Sequence, residues 1–85
     1  MIETYGMKCN LIEIQHCKDR VVEIVKGNKC IGYSGTGDTV TFHFPTAESA
    51  MMAFLELDDL LFNVSVSASP VYIDETKLKG VFNYD

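Results

Sequence analysis

Eighty-five residues with 47 % apolar and 22 % charged side chains suffice for one folded domain and leave no room for a second core, and nothing in the composition marks disorder. The formal charge of −5 excludes a dedicated binder of nucleic-acid backbones, which needs clustered Lys and Arg to displace counterions. All of that charge lies in the second half: residues 1–45 hold five acids and five bases, whereas residues 46–85 hold seven acids against Lys77 and Lys79.

The opening MIETYGMKCN carries acids and a glycine where a signal peptide has a basic start and a long apolar run. The longest apolar run, residues 50–55, is far short of the roughly 18 residues of a membrane span. Cys9, Cys17 and Cys30 are odd in number, which reads as reduced thiols rather than a disulfide framework. A soluble, cytoplasmic protein is expected.

Residues 7–17 (MKCNLIEIQHC) alternate as a strand, with Ile12 and Ile14 on one face and Cys9 and Leu11 on the other. Lys18-Asp19 reads as a tight turn. Residues 20–26 (RVVEIVK) are rich in β-branched side chains and read as a second strand, with Gly27-Asn28 as a hairpin loop. Residues 29–34 (KCIGYS) return antiparallel, and GTGD leads into residues 39–44 (TVTFHF), the cleanest alternation in the chain. There Val40, Phe42 and Phe44 face the core and Thr39, Thr41 and His43 face away.

Pro45-Thr46 switches the period. Thr46 is a natural N-cap and Glu48 suits the positive end of a helix dipole. Ala50, Phe54, Leu57 and Leu61 recur at helical spacing, with Ala47, Met51 and Leu55 widening the stripe, and the helix is expected to stop near Asp58 or Asp59. Residues 63–69 (NVSVSAS) read as a strand with Val64, Val66 and Ala68 inward and serines outward. Pro70 interrupts it, residues 71–73 continue it, residues 74–80 form a turn or short helical turn, and residues 81–84 add a last strand or a docked tail. The expected fold is α+β over residues 1–85: a four-stranded antiparallel meander, one α-helix on one face, and one or two C-terminal strands. One helix cannot cover both faces of such a sheet, so the other must be wet, covered by a tail, or used by a partner.

Four stretches invite a functional reading. GYSGTGD (32–38) holds three glycines, but it leads into a strand rather than a helix and lacks the lysine of a phosphate loop. It reads as a bend, with Gly35 and Gly37 supplying positive φ and Gly32 marking a bulge or close packing. Cys9, His16, Cys17, Cys30 and His43 are soft ligands without C-x-x-C or H-x-x-x-H spacing, so small buried thiols and surface imidazoles explain them more simply than zinc. The sequence therefore calls for no cofactor and no catalytic set. Glu56, Asp58 and Asp59, with Asp74 and Glu75 later, lack the spacing of a cation loop and read instead as an acidic face for a basic partner surface.

Fourth, the strand 39–44 running into PTAESAMMAFLEL resembles the strand–helix half of ferredoxin-like domains, RNA-recognition motifs included. Those motifs have a helix between their first two strands and expose aromatics from a basic signature strand. Here hairpins are read between the strands, Asp38 stands at the strand start, and Phe42 and Phe44 share parity with Val40. The chain is accordingly not assigned to that family.

The expected role is stoichiometric: a small, acidic, non-enzymatic protein that occupies a surface of a larger protein or protein–nucleic-acid complex. The contact would run through an edge strand at 63–69 or through carboxylates that mimic a nucleic-acid backbone. Short, acidic, motif-poor chains of this kind resemble phage-encoded inhibitors of host defence or host polymerases, anti-CRISPR proteins among them, a resemblance of composition only. The alternatives are a homodimer using the helix-free sheet face and Met51, Met52, Phe54 and Phe62, or a zinc- or small-molecule binder using the thiols and imidazoles.

Overall fold

The computed structural model describes residues 1–67 and 69–80. Its elements run β1 (Ile2–Asn10), α1 (Leu11–His16), α2 (Lys18–Gly27), β2 (Gly32–Thr36), β3 (Thr39–Phe44), α3 (Ala47–Leu57), β4 (Val64–Val66), β5 (Val71–Ile73) and a 3-10 turn at Glu75–Lys77. The sheet is antiparallel, in the order β2-β3-β1-β4, and β5 pairs with the first residues of β1. The chain is thus α+β with helices packed on one face of an antiparallel sheet.

The two hairpins expected over residues 7–34 are replaced by a helical crossover. β1 ends at Asn10, whose side chain accepts from the N–H groups of Ile12 (2.9 Å) and Glu13 (3.2 Å) and so caps α1. Cys17, at φ −145° and ψ 39°, breaks α1 from α2. The β-branched run RVVEIVK is helix because Val21, Ile24 and Val25, at helical spacing, are all buried; tertiary burial outweighs the strand preference of those residue types. Gly27-Asn28 closes the helix, and Lys29 at φ 67° turns the chain toward β2. With that crossover, β-α-β-β-α-β is the connectivity of the ferredoxin-like split β-α-β arrangement; hairpins between the first strands no longer speak against it, while Phe42 and Phe44 are buried rather than displayed as in RNA-recognition motifs.

The second half follows its sequence pattern closely. Thr46 caps α3 through Ser49 N–H at 3.1 Å, and Asp58 closes it. The core joins Met7, Cys9, Val40, Phe42 and Phe44 from the sheet with Ile14, Val21, Ile24 and Val25 from the crossover and Ala50, Ala53, Leu57 and Leu61 from α3 and its exit. Met51 and Leu55, expected to widen the core stripe, point outward instead. The sequence after β5 forms the expected short helical turn, then reaches β2, where Lys79 and Tyr33 exchange two backbone hydrogen bonds of 2.8 Å. The readings of Ala68 as inward and of residues 81–84 as a strand or tail lie outside the described residues.

Candidate functional site

α3 carries apolar residues on both sides. Ala50, Ala53 and Leu57 are fully buried, while Met51, Met52 and Leu55 on the opposite side are 44 %, 50 % and 57 % exposed. At 3.6 residues per turn, Glu48 lies above that outer stripe and Asp59 below it, with Glu56 and Asp58 on its flanks. Of these acids, Glu56 accepts a hydrogen bond from Asn28 Nδ2 at 2.8 Å, tying the end of α3 to the end of α2. Asp58 and Asp59 are exposed where the helix leaves its last carbonyls. The expected acidic set therefore divides in two. Glu56, Asp58 and Asp59 gather at the end of α3, whereas Asp74 and Glu75 belong to the 3-10 turn. There Asp74 caps the turn by accepting from Thr76 N–H (3.0 Å) and Thr76 Oγ1 (2.9 Å), bonds that hold its carboxyl below the usual carboxylate range.

The helix-free face of the sheet mixes polar side chains with the apolar Val66, Val71 and Ile73. A groove of about 450 Å³ runs across it, bordered by Lys8, Ser34, His43, Ser65, Ser67 and Tyr72. His43 was expected as a surface imidazole, yet it is 1 % exposed. Thr4 Oγ1 donates its single proton to Val71 O at 2.9 Å, so in the 2.8 Å contact with His43 the ring Nδ1–H is the donor. Nε2 then accepts from Ser34 Oγ at 2.8 Å. Burial pushes the imidazole below its ordinary pKa, which agrees with a neutral ring. The line Ser34–His43–Thr4 has the spacing of a nucleophile, a base and an orienting group. Its third member is a hydroxyl committed to a carbonyl, which does not stabilise an imidazolium as a carboxylate would. Its chemistry is that of a fully satisfied buried polar tie. The alternation of TVTFHF places His43 opposite the core but carries no sign of what covers it.

The five soft ligands are not brought together, and among the described residues no group of three or more His, Cys, Asp and Glu is placed to hold a metal ion. Cys9 and Cys30 are buried. Desolvation, with the charge of Glu13 adding to it, pushes the Cys9 thiol up to about 12, and desolvation pushes Cys30 up to about 11. The glycine-rich stretch is a bend: β2 and β3 pair up to Thr36 and Thr39, leaving Gly37-Asp38 as the loop. Gly37 has φ +61°, but Gly35 sits in the strand without positive φ. Gly32 is close packing, since a Cβ there would stand 2.9 Å from Lys79 O.

Phe62, named above as a homodimer residue, is held by a contact that no local pattern indicates. Phe62, just past α3, is 96 % exposed, yet its backbone is held firmly. Glu13 on α1 accepts from Phe62 N–H (2.9 Å), Asn63 N–H (3.0 Å) and Asn63 Nδ2 (2.6 Å). These bonds, led by the one from the Asn63 backbone, hold the Glu13 carboxyl below its ordinary range.

No helix among the described residues is long and apolar enough to cross a membrane. Comparison with known proteins gives no match to a family model, to a curated protein or to a solved structure.

Proposed function

We propose that this is a stoichiometric, non-enzymatic binding protein that uses the outer face of α3 to occupy an apolar, basic-rimmed surface of a larger protein or protein–nucleic-acid complex. The observation that carries this reading is the exposed stripe Met51, Met52 and Leu55 on a helix whose other side already fills the core. Methionines adapt their shape to a partner, and the surrounding acids supply a potential that speeds encounter with a basic surface and rejects acidic ones. The same acids disfavour pairing of this face with itself, because Glu48, Glu56, Asp58 and Asp59 would meet their own copies. A basic channel built for nucleic acid is the kind of surface such a face would block, as an inhibitor of a host defence or nucleic-acid-processing complex does.

The test is capture of a partner on immobilised protein, comparing wild type with Met52→Glu/Leu55→Glu. Wild type should retain one protein in amounts comparable to itself and release it with salt. The double variant should retain none while unfolding at the wild-type temperature. Equal retention by both would remove α3 from the function.

A further inference from the structure

We infer that two copies of this chain pair by exchanging Phe62, each ring seated in an apolar cavity beside α1 of the other copy. The inference is independent of the α3 reading and uses a different surface.

The cavity has a volume of about 200 Å³ and is lined by Leu11, Ile14, Tyr33, Val40 and Phe42, with Gln15 and Lys18 at its rim. An apolar cavity of about 150 Å³ takes up a benzene ring, so this one fits a phenylalanine side chain. Phe62 is the ring this chain leaves most exposed among the described residues, and the Glu13 bonds fix the backbone that presents it. A pre-ordered aromatic knob loses little freedom on insertion, which is how dominant interface residues gain their weight.

Knob and socket lie on either side of one short helix. Leu11, Ile14 and Gln15 of α1 face the cavity, while Glu13 of the same helix holds the Phe62 turn. Between them Ile12 is 54 % exposed. That placement suits a two-fold axis near Ile12, with each knob entering the other copy's socket, an isologous contact that closes on itself. Charge favours it too. The socket rim carries Lys18, the knob follows Asp58 and Asp59, and the α1 side belongs to the half of the chain whose five acids balance five bases.

The test is light scattering coupled to gel filtration over a concentration series. Wild type should be a dimer, and Phe62→Ala should weaken it at least tenfold. Gln15→Trp, which closes the socket from an exposed position, should do the same with Phe62 intact. Mixed together, the two variants should recover dimer, because one intact knob then meets one intact socket. A wild type that stays monomeric at the highest soluble concentration overturns the inference, as does a dimer indifferent to Phe62→Ala. Two variants that fail to complement one another also overturn it.

Discussion

α2 and α3 lie against the same face of the same sheet, and their inner sides are alike: Val21, Ile24 and Val25 on one, Ala50, Ala53 and Leu57 on the other. Their outer sides are not. α2 turns Asp19, Arg20, Glu23 and Lys26 outward, with Arg20 and Glu23 joined in an exposed ion pair. α3 turns out Met51, Met52 and Leu55. Both helices meet the needs of the core, so the extra apolar stripe on α3 contributes nothing to folding that α2 does without. That excess is what the proposed contact with a partner rests on.

The largest expected effect lies within α3. Leu57→Ala removes a fully buried side chain and should cost about 2–5 kcal/mol, whereas Leu55→Ala, two residues away, should stay within about 0.5 kcal/mol. Urea unfolding of both variants measures the difference, and similar losses would mean that the stripe belongs to the core after all.

Across the sheet the same contrast between buried and outward positions has a polar form. Because burial holds His43 below the ordinary imidazole value of about 6.5, the unfolded chain takes up this proton first as pH falls. The stability due to neutral His43 is complete above that value and drains away as pH drops from it toward the lower folded value. Urea midpoints should therefore fall over that window in wild type and lose the slope in His43→Gln. A slope that survives the substitution would refute the assignment.

Smaller again is the effect of Asp58→Asn/Asp59→Asn. Removing negative charge from the C-terminal end of α3 should stabilise the fold by roughly 0.3–1 kcal/mol per charge at most, while slowing association with a basic partner and flattening its salt dependence. Unchanged association kinetics would separate the apolar stripe from its acidic rim.

The smallest effect is chemical rather than energetic. Native protein treated with an alkylating reagent should gain one label, on half-buried Cys17, because Cys9 and Cys30 are buried and their thiols stay protonated at neutral pH. Three labels in the folded state would contradict the packing of β1 and of the turn into β2.

β3 and α3 were legible in the sequence because each states its period without interruption, TVTFHF in twos and the run after Thr46 in threes and fours. α1 and α2 were not, although their marks are present. Asn10 with Glu13 three residues on is a helix start, and Val21, Ile24 and Val25 keep helical spacing. The break at Cys17 divides the pattern into pieces shorter than a helix usually needs to announce itself, and β-branched side chains then favour the wrong reading. The acidic cluster at the end of α3 could be placed from sequence because it is local. The hold of Glu13 on Phe62 and Asn63 spans 49 and 50 residues, and the cover over His43 comes from Thr4, 39 residues away. Contacts of that range leave no trace in local pattern.

The bridge between Tyr33 and Lys79 has a consequence for how the sheet ends. At β2 the outer margin is occupied by the chain's own returning segment, which satisfies the Tyr33 amide and carbonyl. β4 terminates the other side and is three residues long. At Tyr33 the returning segment therefore leaves an incoming strand no free backbone donor or acceptor on that side of β2.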